Sequence, residues 1–312
     1  MIIQIKLLVT GGAGFIGSNL CDFLVKNSHD VVVIDNLSTG KISNLSNVIN
    51  DIEFINEDIE DFDFDNISDV DVVIHLAAQP SVPLSISNFK TSSTSNLLGT
   101  INVIDFCSNH KIPLIYASSS AIYGGLEFGD DNNSEIDILS PYAADKYCME
   151  LYAKTANKLY QLSSIGLRFF NVYGPRQDPG SPYSGVISIF IDRLLDKKSV
   201  YINGGYQTRD FIYVDDIIEI IYKAVITAKQ NVECEQINVL TGNSISVDLL
   251  LDILAEKIGH DVQKIYQDLP NGDPEESNGS TGKMETILSV NLTELVQLDD
   301  GLASTIDFIK NE

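Results

Sequence analysis

A glycine-rich turn near the start of the chain constrains the fold more than any other feature. Gly11, Gly14 and Gly17 lie between an apolar run and a stretch with helical periodicity. In a strand–turn–helix unit, the first glycine permits the tight turn and the second lets backbone N–H groups approach a phosphate. The third lets helix and strand pack closely. The segment therefore predicts a dinucleotide pyrophosphate site; a plain strand–helix turn is the alternative.

An acidic residue in the right place supports that interpretation. Asp35 ends the second predicted strand, where a carboxylate can bind the ribose hydroxyls of adenosine. Such an acid repels a 2′-phosphate and favours NAD over NADP. Asp58 follows the third predicted strand, where it could bind adenine or cap a helix.

Apolar runs alternate with helix-period stretches along the first half of the chain, as βαβ units require. Their continuous Val, Ile and Leu content predicts strands buried on both faces. The sequence thus predicts an α/β fold, a doubly wound parallel sheet of the Rossmann-like type. The predicted strands are Ile3–Val9, Val31–Asp35, Glu53–Asn56, Val70–His75, Leu114–Ser118 and Ser163–Arg168, and the predicted helices are Phe15–Lys26, Ser92–Asn109 and Tyr142–Tyr160.

After Phe169 the sequence becomes richer in Gly, Pro, Asn and Ser. We predict an NAD-binding domain over residues 1–168 and a smaller α/β substrate lobe over 169–312, partly interleaved with the first. Helices are expected near residues 188–195, 215–227 and 246–258, and a loop over 270–282.

Composition excludes several classes of protein. The formal net charge of −24 argues against a general nucleic-acid partner, which needs clustered cations. Apolar runs are too short to span a bilayer, and the first residues resemble a buried strand more than a signal peptide. The four cysteines lack the spacing of a metal or disulfide site, which favours a reducing cytoplasm and no metal.

Two residues in the middle of the chain suggest proton transfer. Tyr142 and Lys146 stand four residues apart on a predicted helix, so their side chains share one face. A nearby ammonium and an oxidised nicotinamide would favour the phenolate and make tyrosine a usable base. The alternative is an ordinary surface pair.

Serines follow the fifth predicted strand at its carboxyl end, where ligands bind in open α/β sheets. Ser119 could shorten the proton path from a substrate hydroxyl to Tyr142, and Ser120 is a second candidate. The alternative, strongest for Ser118, is that these hydroxyls only satisfy backbone groups at the strand end.

Several segments together resemble the extended short-chain dehydrogenase/reductase family, and within it the nucleotide-sugar 4-epimerase branch. The resemblance covers nearly the whole chain and rests on the glycine turn, the Tyr142–Lys146 spacing and five further segments: residues 35–40, 75–78, 96–100, 118–124 and 168–175. It implies an NAD-dependent enzyme that reversibly inverts C4 of a UDP-hexose through a 4-keto sugar. It also implies a homodimer formed through two helices per subunit, including those of Ser92–Asn109 and Tyr142–Tyr160.

The resemblance implies a set of cofactor-binding residues. These are Gly11, Gly14, Phe15, Ile16, Gly17, Asp35, Asn36, Ser38, Thr39, Gly40, Asp58, Ile59, Leu76, Ala77, Ala78, Asn96, Tyr142 and Lys146. Ser119 takes the family's catalytic Ser/Thr position. Related dehydratases carry an Asp-Glu pair after that position, whereas this chain has Ser120 and Ala121, so dehydration is disfavoured.

On the substrate side, the resemblance implies contacts from Ser119, Asn171, Val186, Tyr201, Arg209, Asp273 and Ser277. Arg209 matches a phosphate-binding arginine, and Arg176, Tyr183 and Val186 lie in a segment similar to the uridine loop. For Arg176 a structural salt bridge is the alternative to a ligand contact. Pro270 replaces an arginine that grips phosphate in many relatives. Ser277 stands where relatives restricted to plain hexoses carry a bulky tyrosine, so UDP-GlcNAc and UDP-GalNAc are expected to be accepted.

Two rival hypotheses remain at the level of the sequence. A UDP-uronate 4-epimerase, or another nucleotide-sugar oxidoreductase, would use the same core with an extra cation facing the sugar C6. A non-enzymatic NAD-binding scaffold is disfavoured because Tyr142, Lys146 and Ser119 are all present.

Overall fold

The computed structural model describes residues 4–181, 184–230, 233–269 and 273–311. Its strands are β1 Lys6–Thr10, β2 Asp30–Ile34, β3 Glu53–Ile55, β4 Val72–His75, β5 Leu114–Ser119, β6 Ser164–Phe169, β7 Asn171–Tyr173, β8 Val200–Asn203, β9 Thr208–Tyr213, β10 Cys234–Val239, β11 Ser244–Ser246 and β12 Lys264–Gln267. Its α-helices are α1 Phe15–Lys26, α2 Val82–Ser87, α3 Phe89–Ser93, α4 Gly99–His110, α5 Pro141–Tyr160, α6 Val186–Leu195, α7 Val214–Gln230, α8 Val247–Ile258, α9 Gly282–Ile287 and α10 Leu298–Asn311.

The chain divides into two compact units, each built from several segments. The first comprises Met1–Ile122, Ser140–Arg168 and Ile218–Ile237, and the second Tyr123–Leu139, Phe169–Ile217 and Asn238–Glu312.

A seven-stranded sheet organises the first unit, in the order β10-β6-β5-β4-β1-β2-β3. Strand β1 pairs in parallel with both β2 and β4, and β4 pairs in parallel with β5. The strand order reverses at β1, so the carboxyl ends of β1 and β4 flank the crevice where ligands bind in such sheets. The predicted doubly wound α/β fold is confirmed.

The core of the first unit lies between this sheet and helices α4 and α5. Leu8, Val73 and Leu114 from the strands meet Val103 and Met149 from the helices, and all five are essentially inaccessible to solvent. Burying each such side chain contributes roughly 1.5–3 kcal/mol, so this packing fixes the height of α5 on the sheet.

Local signals explain where α5 begins. Ser140 caps the helix, because its Oγ accepts the N–H of Ala143 at 3.2 Å, and Pro141 takes the first helical position. The N–H of Tyr142, which has no partner within the helix, donates to Ser85 Oγ at 3.1 Å. Tyr142 is therefore held in the first turn from both sides.

The predicted helix Ser92–Asn109 is wrong in one respect. The structure divides this stretch into α3, a π-helical turn over Thr94–Leu98, and α4. Apolar periodicity continues across the turn and gives no sign of it. A π-helical turn holds one residue more than an α-helical turn. The buried Asn96 in this turn is hydrogen-bonded to the backbone of Gln79, which lies outside the helix, and these bonds support the wider turn.

The second unit contains two smaller sheets. Strand β9 pairs in parallel with β7 and antiparallel with β11, while β8 pairs in parallel with β12. None of the strands β7 to β12 and none of the helices α2, α9 and α10 is predicted from the sequence. Within the described residues no helix is long and apolar enough to cross a membrane, and the cytoplasmic location stays a prediction.

Candidate active site

The glycine turn joins β1 to α1 as the sequence predicts. Gly11 has a φ of +74°, and a Cβ there would lie 2.6 Å from the backbone nitrogen of Ala77. A Cβ on Gly17 would lie 2.2 Å from the carbonyl oxygen of Gly11. Both positions exclude any side chain, so the backbone of the turn and of residues 76–78 can approach each other closely.

Gly14 is the N-cap of α1, and Phe15, Ile16 and Gly17 form its first turn. No acidic side chain stands in that turn. The first N–H groups of a helix lack partners within it and carry partial positive charge, which suits a pyrophosphate. The role of these residues in holding a pyrophosphate stays a prediction.

Asp35 lies just beyond β2 and its carboxylate faces the glycine turn. It accepts the N–H of Ala13 at 2.9 Å and of Leu37 at 2.8 Å. Burial, the largest influence, raises the pKa of Asp35, and these two hydrogen bonds oppose the shift. A carboxylate has about four acceptor positions, so two remain for ribose hydroxyls.

The neighbouring predicted residues divide into surface and core positions. Asn36 donates from Nδ2 to Asp58 Oδ1, so these two side chains meet, and the adenine contact of Asp58 stays a prediction. Ser38 and Thr39 are exposed, while a Cβ on Gly40 would lie 2.7 Å from Ala13. Ile59 is buried in the core, where it packs on Gly99.

A chain of hydrogen bonds connects the carboxyl ends of β1 and β4. Thr10 Oγ1 lies 2.7 Å from Nδ1 of His75, whose Nε2 lies 2.9 Å from Thr100 Oγ1. Thr100 donates onward to the carbonyl of Asn96 at 2.6 Å, so it accepts from Nε2–H, and Thr10 donates to Nδ1. Burial lowers the pKa of His75 to about 3, and the imidazole is neutral.

These hydrogen bonds order the backbone segment that carries Leu76, Ala77 and Ala78. The N–H of Leu76 donates to the carbonyl of Thr10 at 3.0 Å, and that of Ala77 to Thr10 Oγ1 at 3.3 Å. Asn96, 1% exposed, accepts the N–H of Gln79 at 2.7 Å. All four predicted cofactor residues therefore lie on, or brace, one backbone segment beside the glycine turn.

The predicted catalytic side chains meet at the carboxyl end of β5. The hydroxyl of Tyr142 is hydrogen-bonded to Ser119, and burial raises the pKa of Tyr142 while this hydrogen bond opposes the shift. Lys146 Nζ lies 5.7 Å from the centroid of the Tyr142 ring and donates to the carbonyl of Ala117 at 2.7 Å. The phenol thus has a hydroxyl partner and a nearby ammonium.

The three consecutive serines have different surroundings. Ser118 is buried and donates to Glu150 Oε1 at 2.7 Å. Ser119 accepts the N–H of Ala121 at 3.1 Å as well as contacting Tyr142, while Ser120 begins a short 3-10 turn. The partner of Ser118 is thus a side-chain carboxylate and not the backbone group that the alternative predicted, and Ser119 is the serine that meets the phenol.

In the second unit, an ion pair joins two of the predicted substrate residues. Arg209 Nη2 lies 2.6 Å from Oδ1 of Asp273. Arg209 is largely buried on β9, whereas 40% of the Asp273 side chain is exposed. The acid orients the guanidinium, whose five donors can serve further acceptors such as phosphate oxygens.

Ser277 lies on the irregular segment after Asp273. Its Oγ is 3.5 Å from Nδ2 of Asn171, which also donates to the carbonyl of Asp210 at 3.2 Å. Ser244 Oγ donates to the carbonyl of Ser277 at 2.9 Å. The structure thus places Asn171 and Ser277 side by side.

Two further predicted residues stand apart from this group. Val186 is the first residue of α6, and Tyr201 on β8 is 48% exposed with the Arg193 guanidinium 5.3 Å from its ring centroid. Tyr183 and Pro270 lie outside the described residues.

Comparison with known proteins identifies the family. The sequence pattern of the NAD dependent epimerase/dehydratase family matches residues 7–239. This chain belongs to that family. The predicted family relationship and the predicted NAD dependence are thereby confirmed. The glycine turn, the helix N-terminus and the Asp35 carboxylate have the chemistry that would hold such a cofactor.

Relatives within the family extend over the whole chain. A Methanocaldococcus jannaschii protein, provisionally named UDP-glucose 4-epimerase, is 40% identical over 98% of each chain. A solved UDP-N-acetylglucosamine 4-epimerase from Methanobrevibacter ruminantium M1, in complex with UDP-N-acetylmuramic acid, is 35% identical with a TM-score of 0.92 over 99% of each chain. A UDP-glucuronic acid 4-epimerase from Bacillus cereus, in complex with UDP-glucuronic acid and NAD, is 33% identical with a TM-score of 0.90, covering 98% of this chain and 99% of that one.

Proposed function

We propose that this protein is an NAD-dependent 4-epimerase of UDP-hexoses. One observation carries the proposal: the Tyr142 phenol is hydrogen-bonded to Ser119 and lies near the Lys146 ammonium. Relatives named as 4-epimerases of three different UDP-sugars support the reaction type. NAD supplies the acceptor and donor of the two electrons exchanged with C4.

The side chains of the chain supply the proton chemistry. Tyr142 takes the proton of the sugar 4-hydroxyl, and Ser119 relays it across the hydrogen bond that joins the two hydroxyls. Lys146 favours the phenolate because its charge lies next to the ring. Reversal needs the same groups, since the phenol returns the proton after the sugar has presented its other face.

Arg209 is proposed to bind the UDP diphosphate. The guanidinium carries positive charge in a chain with a net charge of −24, and Asp273 fixes its orientation. Asn171 is proposed to contact the same region of the substrate. Val186 stays a prediction as a contact in the uridine loop, and Tyr201 stays a prediction as a substrate contact.

A panel of substrates tests the reaction. The NAD-loaded protein is incubated with UDP-glucose, UDP-galactose, UDP-GlcNAc, UDP-GalNAc and UDP-glucuronate without added reductant, and the C4 epimers are separated by chromatography. We expect interconversion within at least one of the first two pairs. Conversion of UDP-glucuronate alone would favour the uronate rival, and no conversion despite bound NAD would contradict the proposal.

Ser277 is proposed to permit an acetamido group at C2 of the sugar. Its Oγ already lies 3.5 Å from Nδ2 of Asn171, so a tyrosine ring in its place would take volume beside Asn171 that serine does not take. Ser277→Tyr is expected to abolish turnover of UDP-GlcNAc while sparing UDP-glucose, and Ser277→Ala, the matched small variant, should retain both. Equal loss on both sugars in Ser277→Tyr would contradict this role.

We also propose a homodimer formed through α5. Leu151, Thr155 and Leu159 recur at four-residue spacing on one exposed face of this helix, beside the exposed Tyr152. Light scattering on the purified protein should give twice the chain mass, and Leu151→Glu should shift it toward the monomer. A monomeric wild-type protein would contradict the proposal.

A further inference from the structure

In the sequence of α5, Asp145 lies between Tyr142, the proposed base, and Lys146. The reaction described above gives Asp145 no role. The side chain lies on α5, directly before Lys146, and the residue is only 4% exposed. Aspartate is almost never buried this deeply unless charged or polar partners compensate it. The partners therefore indicate what the carboxylate does.

The hydrogen-bond partners of Asp145 lie on the broken helix opposite. Ser93 Oγ, at the end of α3, donates to Asp145 Oδ2 at 3.1 Å, and the amide of Asn96 is also hydrogen-bonded to this carboxylate. Asn96 belongs to the π-helical turn and binds both backbone groups of Gln79. Asp145 thus connects α5, through Asn96, to the segment that follows Ala78.

Lys146 needs an anionic neighbour more than most lysines do. It is 2% exposed, and its donation to the carbonyl of Ala117 satisfies one N–H without neutralising the charge. Burial lowers the pKa of Lys146 to about 8, and the charge of Asp145 opposes that shift. Conversely, burial raises the pKa of Asp145, and Lys146 opposes it.

The other titratable groups near α5 do not provide this charge. Glu150, one turn further along α5, is paired with Arg168 at 2.7 Å. Neither α2 nor the π-helical turn carries a titratable side chain. Three titratable side chains on α3 and α4 are exposed: Lys90, Asp105 and His110. Those on α4, β4 and β5 that are buried are uncharged: Cys107, His75 and Tyr116.

We propose that Asp145 is a positioning residue whose charge keeps Lys146 in its ammonium form and whose hydrogen bonds fasten the π-helical turn to α5. The proposal rests on the proposed function only for the use that the reaction makes of the ammonium. If the carboxylate charge is removed, we expect Lys146 to lose its proton at a lower pH than in the wild-type protein.

The test measures Lys146 directly. NAD-loaded protein carrying 13Cε-labelled lysine is titrated by NMR, and Lys146→Arg assigns the signal. In Asp145→Asn the midpoint of Lys146 should fall by about one pH unit. Ser93→Ala, which removes a donor to the same carboxylate and no charge, and Asp145→Glu, which keeps the charge, should both stay near the wild-type midpoint.

Asp145→Ser provides a second neutral variant in case Asp145→Asn does not fold. The alkaline limb of kcat for UDP-hexose conversion should move with the NMR midpoint in each variant. An unmoved midpoint in the neutral variants, or an equal fall in Ser93→Ala, would overturn the proposal. A wild-type protein that converts no UDP-hexose would refute the proposed function, whereas the NMR midpoints would still decide the role of Asp145.

Discussion

The two units support their predicted functional side chains differently. In the first, Ser119 and Lys146 stand on β5 and α5, and Tyr142 is held in the first turn of α5 by a cap and by Ser85. In the second, Arg209 stands on β9, but Asp273 and Ser277 lie on an irregular segment between β12 and α9.

The described residues of that irregular segment are held by hydrogen bonds and one isolated bridge, without a helix or strand longer than that bridge. Gly279 forms an isolated parallel bridge with Gly129, and Asn238 Nδ2 donates to the carbonyls of Gly129 and Ser280 at 3.0 and 3.3 Å. The hydroxyl of Tyr123 in turn donates to Asn238 Oδ1 at 2.7 Å. The proton-transfer groups are thus built into regular elements, whereas the proposed sugar-selecting residue can change without disturbing a core. Variants in the first unit should therefore lower kcat, and variants in the second should alter KM and specificity.

The largest effect is expected from Tyr142→Phe. Removing the phenolic hydroxyl deletes the proposed base, so kcat should fall by about 100-fold to 10,000-fold with UDP affinity unchanged. Tyr147→Phe, on the same helix, is the matched control and should keep wild-type turnover. Steady-state kinetics and UDP titration calorimetry check both, and a Tyr142→Phe variant near wild-type speed would refute the base assignment.

The adjacent serines provide the next comparison. Ser119→Ala should lower kcat by about 10-fold to 100-fold, since one hydrogen bond to a reacting charged group is worth about 1.5–3 kcal/mol. Ser118→Ala should spare kcat and reduce the free energy of unfolding by about 1 kcal/mol, because Arg168 still satisfies Glu150. Kinetics and urea unfolding separate the two. Equal kinetic loss in both variants would break the distinction between catalytic and structural serines.

A charge variant in the second unit should act on binding. Arg209→Ala is expected to raise KM for the UDP-sugar by about 10-fold to 100-fold with kcat within a few-fold of wild type, because a charge-assisted contact is lost. Lys198→Ala, which breaks the exposed ion pair with Asp196, is the control and should change neither constant. A fall in kcat at constant KM would place Arg209 with the proton-transfer groups.

The smallest effect is expected from the bridge that supports the irregular segment. A Cβ on Gly279 would lie 2.6 Å from the carbonyl oxygen of Gly129, so Gly279→Ala must displace the segment. KM should rise a few-fold, roughly 1 kcal/mol in binding, and the preference between acetamido and plain sugars should change. At Gly282 the nearest atom is 3.4 Å away, and Gly282→Ala should behave as wild type. Unchanged selectivity in Gly279→Ala would show that this bridge does not position Ser277.

The sequence predicts those parts of the fold that local chemistry determines. Helix α1 has its predicted bounds because strand, glycine turn and helix follow one another directly. Strand β10 was missed because its buried positions include Gln236 and Asn238, which disguise its apolar character. Those polar side chains are tolerated through tertiary hydrogen bonds that no local pattern reveals.

The site shows the same division. The spacing of Tyr142 and Lys146 on one helix face was predictable from the helical repeat alone. The roles of Thr10, Thr100 and Asp145 were not, because their partners lie far away in sequence. The π-helical turn is also a feature that the local sequence does not predict. Asn96 and Thr100 lie in a segment that resembles the family, but that resemblance does not indicate the turn.

The central claim is that bound cofactor lowers the pKa of the buried Tyr142 phenol, so that this side chain can act as a base. The most direct measurement is the ultraviolet phenolate absorbance of wild-type protein minus that of Tyr142→Phe, titrated with and without NAD⁺. Burial raises the pKa of Tyr142 above the ordinary value of a tyrosine in the free protein, so the phenolate should form there only above about pH 10. With NAD⁺ bound, the added positive charge should bring the midpoint below pH 10. Identical midpoints in the two states would contradict the account.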